Sequence, residues 1–174
     1  YHAGKSNRTP SKNWITDIYK DHFNQIWIFY LGNGLDRFDP LREVFHNYKP
    51  DSQKPVSISS DSYFSSLNIN YTVFFEDSDS NLWIGTDRGL NKYIREDDRF
   101  EHFRHDPLDP SSLSDDRIIT MAEDHENKLW IDTHNGLNHF DLITGRSTRF
   151  LPDPINPNSL KDSTISDILV RQDS

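Results

Sequence analysis

The chain has 174 residues and a formal net charge of −9 at pH 7, which predicts one domain or two small ones. The acidic balance argues against sequence-independent binding of nucleic acid and against docking on an anionic membrane surface, since both depend on clustered Lys and Arg. The absence of cysteine excludes disulfides, a thiolate nucleophile and cysteine-ligated zinc. Aromatic residues make up 13% of the chain, and with many isoleucines and turn residues they indicate a β-rich fold.

An internal repeat organises the sequence. Trp27, Trp83 and Trp130 occupy one frame: each follows an Asp by six positions, lies in an apolar-Trp-Ile run and precedes a Gly-Leu pair. These tryptophans are 56 and 47 residues apart. The pattern Phe-x3-Pro-x2-Pro-x2-Leu follows both the second and the third copy. Agreement at so many positions indicates a repeated structural unit.

Each copy predicts four short strands separated by polar turns. In the second copy they are 71–76, 82–86, 90–94 and 99–104, with turn-forming residues between them. Four strands in about 45 residues, repeated along a chain, are the signature of a β-propeller blade. We therefore predict an all-β fold: a β-propeller fragment of about three four-stranded antiparallel blades plus the first strand of a fourth.

The predicted blades alternate with linkers. In chain order these are an inter-blade linker over 1–14, blade 1 over 15–48, a long inter-blade linker over 49–70, blade 2 over 71–104, a linker over 105–117, blade 3 over 118–151, a linker over 152–164 and the first strand of blade 4 over 165–174. The repeated Trp is expected to fill the wedge between neighbouring blades. Gly34, Gly89 and Gly136 are expected to supply positive φ in the hairpin between the second and third strands.

The repeat resembles a known family. Residues 76–93 read Glu-Asp-Ser-Asp-Ser-Asn-Leu-Trp-Ile-Gly-Thr-Asp-Arg-Gly-Leu-Asn-Lys-Tyr and closely resemble the two-component regulator propeller repeat. The linker 107–114, Pro-Leu-Asp-Pro-Ser-Ser-Leu-Ser, is similar to the linker often seen between such repeats. The sequence departs from the pattern in blade 1, which lacks the Gly-Thr pair and is one residue longer, and in blade 3, where Asp132 stands in the position of Gly85.

The resemblance implies a function as well as a fold. It implies the periplasmic sensor region of an inner-membrane hybrid two-component regulator, which detects a small molecule or an oligosaccharide and signals to a cytoplasmic histidine kinase. Two alternatives stay open: a propeller that serves as a protein-interaction scaffold, and a glycan-active propeller enzyme whose catalytic residues converge from several blades. No enzymatic activity is expected of this chain itself.

Three repeats are fewer than a closed propeller needs. The chain is therefore expected to be a piece of a larger propeller, completed by the remaining blades of the parent chain. Its open flanks are expected to drive self-association, because exposed apolar patches and free strand edges recruit partners. Direct contact with a membrane is not expected.

The candidate ligand-binding residues lie in loops that propeller geometry directs to one face. This face should carry the linkers between repeats and the hairpins between second and third strands. The long linker is rich in Ser and has two aromatic residues at its middle. These aromatic residues would stack on a sugar; alternatively, the linker folds back and covers apolar surface of the blade. The candidates are Tyr30, Asn33, Tyr63, Phe64, Asp87, Arg88, His134 and Asn135.

No cofactor, metal or catalytic group is predicted. The run Asp77-x-Asp79-x-Asn81 begins like a calcium loop, but it has no Gly at its sixth position and Arg88 at its twelfth. The eight histidines do not show metal-ligand spacing. A Gly-x-Ser-x-Gly nucleophile elbow is also missing from the sequence.

Overall fold

The computed structural model describes residues 2–4, 6–30, 34–54, 56–60, 73–163, 165 and 168–169. Within these ranges the secondary structure consists of twelve β-strands in three four-stranded sheets. Each sheet is an antiparallel meander of four consecutive strands, which confirms the predicted all-β blade architecture. No helix in this described part is long and apolar enough to cross a membrane.

The strands divide evenly among three blades. Blade 1 consists of β1 (Ile15–Lys20), β2 (Ile26–Tyr30), β3 (Gly34–Asp39) and β4 (Val44–Tyr48). Blade 2 consists of β5 (Val73–Glu76), β6 (Leu82–Thr86), β7 (Gly89–Ile94) and β8 (Arg99–Phe103). Blade 3 consists of β9 (Ile118–Glu123), β10 (Lys128–Thr133), β11 (Gly136–Asp141) and β12 (Ser147–Phe150). The predicted first strand of a fourth blade falls mostly outside the described residues.

Large aromatic side chains fill the two seams between blades. Trp27 and Trp83 are fully buried. The ring of Trp27 meets Tyr93 of blade 2 edge to face at 4.7 Å, and that of Trp83 meets Phe140 of blade 3 at 5.7 Å. Each indole thus packs against the third strand of the following blade, where it buries a large apolar area.

Trp130 has a different environment from the other two repeated tryptophans. It lies on the outer flank of blade 3 and is only partly buried. Its ring stacks on His139 of the same sheet at 4.3 Å and contacts Phe150 at 5.5 Å. Among the described residues, no neighbouring blade covers this position, whereas one covers it in each of the first two repeats.

The Asp that precedes each repeated Trp by six positions closes the turn between the first two strands. In blade 2, the indole Nε1 of Trp83 donates to Asp77 Oδ2 at 2.8 Å, while the backbone N–H of Asn81 donates to Asp77 Oδ1 at 2.8 Å. Blade 1 repeats the indole contact between Trp27 and Asp21 at 2.9 Å. The carboxylate therefore satisfies buried donors that would otherwise cost stability.

A second carboxylate links neighbouring blades. Glu76 at the end of β5 accepts hydrogen bonds from the backbone N–H of His22 in blade 1, at 3.0 and 2.9 Å. Glu123 at the end of β9 likewise accepts from the backbone N–H and the hydroxyl of Ser78 in blade 2, at 2.7 and 2.9 Å. In the Glu-Asp pairs at 76–77 and 123–124, the Glu therefore stabilises the contact with the neighbouring blade. The Asp stabilises the turn that follows its own strand.

The hairpin glycines adopt the left-handed backbone that their position requires. Gly89 has φ of +110° and Gly136 has φ of +107°. A Cβ atom on either residue would also lie 2.6 Å from a carbonyl oxygen at the end of the fourth strand, that of Phe103 or Phe150. Both the dihedral angle and the close approach therefore favour glycine here.

Candidate ligand-binding face

A buried polar network attaches each blade to the linker that precedes it. In blade 3, the backbone N–H of Ser114 donates to Asn138 Oδ1 at 2.8 Å. The hydroxyl oxygens of Ser114 and Thr133 lie 2.8 Å apart, and Asn138 Nδ2 donates to the carbonyl oxygen of Ile131 at 3.3 Å. All three network side chains are buried. Their polar groups cannot form hydrogen bonds with water, so they pair with one another and with the backbone.

Blade 2 contains the same network at equivalent positions. The backbone N–H of Ser59 donates to Asn91 Oδ1 at 2.9 Å, and the hydroxyls of Ser59 and Thr86 lie 2.9 Å apart. This network was not predicted from the sequence, although Thr and Asn recur five positions apart in the two repeats and each linker carries a Ser-x-Ser run, at 57–59 and 112–114. That recurrence was the available signal.

In blade 1 the network consists of different residues, and the hydroxyl of Tyr30 is one of its donors. Asp36 takes the place of the Asn and accepts from the backbone N–H and the hydroxyl of Ser11 at 2.7 and 2.6 Å. The hydroxyl of Tyr30 donates to Asp36 Oδ2 at 2.9 Å. Burial and the neighbouring Asp36 raise the pKa of Tyr30 above its usual range. Because Tyr30 is completely buried, it does not offer its ring to a ligand, which corrects the expectation for this residue.

The hairpins and the inter-blade linkers meet on one face, which we call the loop face. The backbone N–H of Gly89 in blade 2 donates to the carbonyl oxygen of Asp116 at 2.7 Å. The backbone N–H of His134 in blade 3 donates to the carbonyl oxygen of Arg117 at 3.1 Å. Two adjacent linker residues therefore connect the hairpins of neighbouring blades.

Most of the described candidate residues are accessible on the loop face. Arg88, His134 and Asn135 are exposed, and Asp87 is half-buried. The guanidinium of Arg117 donates through Nη2 to His134 Nδ1 at 2.8 Å, which orients the imidazole. Asn33, Tyr63 and Phe64 lie outside the described residues, so the predicted location of the aromatic pair stays a prediction.

Both carboxylate oxygens of Asp77 accept hydrogen bonds at its own turn. Its Oδ1 atom accepts from the backbone N–H groups of Asp79 and Asn81, and its Oδ2 atom accepts from the indole of Trp83. This arrangement fits a polar turn. Among the residues that the structure describes, three or more His, Asp or Glu side chains do not gather into a group that could hold a metal ion.

Asp132 is an ionisable group buried at the outer seam of blade 3. At the equivalent position of blade 2, a Cβ atom on Gly85 would lie 2.6 Å from Ile118 Cγ2, so that seam has no space for a side chain. Asp132 is fully buried, and its Oδ2 atom accepts from the backbone N–H of Ile165 at 3.0 Å. Its Oδ1 atom has no partner in the described part of the chain. Burial raises the pKa of Asp132 to about 6.

This shifted pKa predicts a pH-dependent contribution to stability. A carboxyl whose pKa is higher in the folded than in the unfolded state lowers the stability of the fold as the pH rises from the unfolded-state pKa to the folded-state pKa. We expect Asp132→Asn to become progressively more stable than the parent chain between pH 4 and about 7, by up to about 3 kcal/mol at about 1.4 kcal/mol per pKa unit. Urea unfolding of both proteins at several pH values measures this difference.

The exposed Asp79 provides the control for this experiment. Asp79→Asn removes the same charge from a turn, and its effect on stability is expected to stay small over the same pH interval. A difference between Asp132→Asn and the parent chain that does not change with pH would contradict the assignment of a buried, readily protonated carboxyl.

Comparison with known proteins agrees with this architecture. The family model for the two-component regulator propeller matches residues 64–88 and 112–135. No curated protein matches the chain. The extracellular domain of a protein described as a hybrid two-component system of B. thetaiotaomicron is 25% identical over 88% of this chain, with a TM-score of 0.69. A second such domain from B. thetaiotaomicron is 23% identical over 92% of this chain, with a TM-score of 0.61.

A more distant structure shares the fold. PorZ of Porphyromonas gingivalis, a surface component of the type-IX secretion system, is 17% identical over 98% of this chain, with a TM-score of 0.58. The chain spans 20% and 19% of the two B. thetaiotaomicron structures and 25% of PorZ. The matched region is therefore one part of each larger protein.

Proposed function

We propose that this chain, two segments of which match the two-component regulator propeller family, forms part of the extracytoplasmic sensor propeller of a membrane-bound hybrid two-component regulator. In this proposal the propeller lies in the periplasm, the parent protein is anchored in the inner membrane, and ligand binding is signalled to a cytoplasmic histidine kinase. The supporting observation is the likeness, along 88% of this chain, to the extracellular domain of a hybrid two-component system.

The ligand in this proposal binds on the loop face. The repeated residues of the chain serve the fold, since the seam tryptophans Trp27 and Trp83 and the Ser-Asn-Thr networks are buried. The residues that vary between repeats are exposed in hairpins, which are the usual location of binding groups on a rigid scaffold. His134 and Asn135 offer an imidazole and an amide, which suit the hydroxyl groups of a glycan or another polar small molecule.

A binding screen on the purified chain tests this function. We expect at least one member of a panel of bacterial and dietary oligosaccharides to bind saturably in isothermal titration calorimetry. Asn135→Ala is expected to weaken that binding roughly tenfold, which corresponds to about 1.4 kcal/mol. Asp79→Ala, which alters an exposed residue in the turn between β5 and β6, is the control and should leave the affinity unchanged.

Two results would contradict the proposed site and function respectively. Equal weakening by both variants would exclude the loop face as the binding surface. A full-length regulator whose kinase autophosphorylation does not respond to the ligand that binds this chain would exclude a sensory role.

The open flank of blade 3 also predicts association between copies of the chain. Phe150 and Leu151 at the end of β12 are 40% and 43% exposed beside the partly buried Trp130. In the first two repeats the corresponding surface packs against another sheet, so we expect this flank to recruit one. Sedimentation at micromolar concentration should show dimers or larger species.

A pair of matched substitutions tests the surface that associates. Leu151→Asp is expected to shift the chain toward monomers, because it places a charge in the apolar flank. Leu108→Asp makes the same change at a linker residue that is 91% exposed and should have little effect. A parent chain that sediments only as a monomer would rule out association through this flank.

A further inference from the structure

A groove of about 330 Å³ opens on the loop face of blade 2. It lies between the linker that precedes blade 2, the β6–β7 hairpin and the end of β8. Its lining includes Asp51, Lys54, Ser57, Arg88, His102 and Arg104. We call this the blade 2 groove.

The blade 2 groove is basic, although the whole chain is acidic. Lys54, Arg88 and Arg104 contribute three positive charges, and Asp51 contributes the one opposing carboxylate. Lys54 lies 3.9 Å from Asp51, and its side chain is 75% exposed, so this ion pair is weak. The guanidinium groups of Arg88 and Arg104 form no ion pair or hydrogen bond with any other described residue. Two strong donor groups are therefore free to bind a ligand.

Arg104 is held beside the hairpin that carries Arg88. A Cβ atom on Gly89 would lie 3.0 Å from Arg104 Cγ, so the stem of Arg104 crosses the hairpin at its glycine. Both guanidinium groups consequently line the same groove. Exposed arginines of equal charge do not stabilise one another, so the fold gains nothing from placing them together.

The corresponding space in blade 3 is closed by Arg149. This residue is equivalent to His102, since His102 pairs with Asn91 and Arg149 pairs with Asn138 in the two sheets. Arg149 Nη2 donates to the carbonyl oxygen of Asp109 at 2.7 Å. His102 is shorter and reaches only the carbonyl oxygen of Ser57, at 2.6 Å. The groove is therefore open in blade 2 because its fourth strand carries the smaller side chain.

Blade 3 repeats none of the three basic residues. The repeat places Asp109 at the position of Lys54, Asn135 at that of Arg88 and Leu151 at that of Arg104. The linker turns match, because the backbone N–H of Ser57 donates to the carbonyl oxygen of Lys54 and that of Ser112 donates to Asp109. The same linker turn thus forms without basic residues at these three positions, so the fold does not require Lys54, Arg88 and Arg104 to be basic.

We propose that the blade 2 groove binds an acidic group of the ligand, a carboxylate or a sulfate ester, between Arg88, Arg104 and Lys54. Guanidinium groups bind such oxyanions through paired, charge-assisted hydrogen bonds. The inference rests on the proposed sensor function and narrows its ligand class to acidic saccharides and other small organic anions. Burial lowers the pKa of His102, so this side chain is neutral near pH 7 and acts there as a donor to Ser57.

Titrations with simple anions test the site directly. Sodium glucuronate and sodium sulfate are titrated into the chain at constant ionic strength and followed by isothermal titration calorimetry and by backbone amide NMR shifts. We expect saturable binding of one or both, with shifts at residues 57–59 and 86–89. The stronger of the two probes identifies whether a carboxylate or a sulfate is preferred.

Variants separate this groove from a general effect of charge. Arg88→Gln combined with Arg104→Gln should weaken binding at least tenfold. The control combines Arg42→Gln with Arg99→Gln, which removes two positive charges from arginines outside the groove that each pair with a nearby Asp, and it should change binding less than twofold. His102→Arg should also abolish binding despite its added charge, since the longer side chain would fill the groove as Arg149 does.

Several outcomes would overturn the inference. These are failure of both anions to bind saturably, equal weakening by the groove and control variants, and unchanged binding by His102→Arg. Circular dichroism of each variant confirms that the fold is kept. If a neutral oligosaccharide binds equally well to the parent chain and to the groove variant, the ligand does not need an acidic group and this inference fails. The proposed sensor function would still stand.

Discussion

Replacing Trp83 with alanine is expected to lower the free energy of unfolding by about 3–5 kcal/mol. The indole is fully buried, and its ring lies 5.8 Å from Phe103 in its own sheet and 5.7 Å from Phe140 in the next. Its removal would open a cavity at the seam between blades 2 and 3. It would also remove the hydrogen bond from the indole to Asp77 Oδ2, which would then accept only from the side-chain amide of Asn81.

Trp14 is the matched control for this substitution. It lies outside the repeat frame, before β1, and is 77% exposed. Trp14→Ala should therefore change stability by less than about 0.5 kcal/mol. Urea unfolding followed by far-ultraviolet circular dichroism measures both variants. Losses of similar size for Trp14 and Trp83 would contradict the assignment of the repeated tryptophan to the seam.

Replacing Asn138 with alanine is expected to lower the free energy of unfolding by about 2–3 kcal/mol, because it leaves buried polar groups unpaired. Asn138 Oδ1 accepts from the backbone N–H of Ser114, and its Nδ2 group donates to Ser114 Oγ at 2.8 Å and to the carbonyl oxygen of Ile131. Alanine would satisfy none of these groups. The linker that precedes blade 3 should detach locally before the sheet itself unfolds.

Asn135 provides a control of the same residue type in the adjacent hairpin. It is exposed, so Asn135→Ala should change stability by less than about 0.5 kcal/mol. Amide hydrogen exchange gives a second measurement, since residues near Ser114 should lose protection in Asn138→Ala and keep it in Asn135→Ala. Full protection at Ser114 in Asn138→Ala would show that the network does not hold the linker.

The elements of the fold could be predicted from local sequence patterns. The period of the repeat, the four-strand pattern and the seam position of Trp27 and Trp83 follow from local patterns of apolar, aromatic and turn residues, which every copy repeats. The same holds for Gly89 and Gly136, because the conformation of a two-strand hairpin depends mainly on the residues within it. Short-range physical chemistry is sufficient for such features, and the repetition makes them unambiguous.

Which loop residues are accessible depends on contacts between distant parts of the chain. Tyr30 ends β2 beside the hairpin, and it is buried because Asp36 on β3 and Ser11 in the preceding linker form a polar network around its hydroxyl. A residue's sequence position in a turn does not determine its burial, since the partners are 6 and 19 residues away along the chain.

The open groove of blade 2 is likewise a tertiary property. The sequence shows His102 and Arg149 at equivalent positions, but only the structure shows that one side chain leaves space beside the linker and the other fills it. Arg88 was predicted as a candidate from its hairpin, whereas Lys54 and Arg104 were not, because they come from a linker and a strand end that meet only in the folded chain. Binding sites of this kind depend on which side chains from distant segments face the same space and on how far each one extends into it. A local sequence pattern does not show which segments meet.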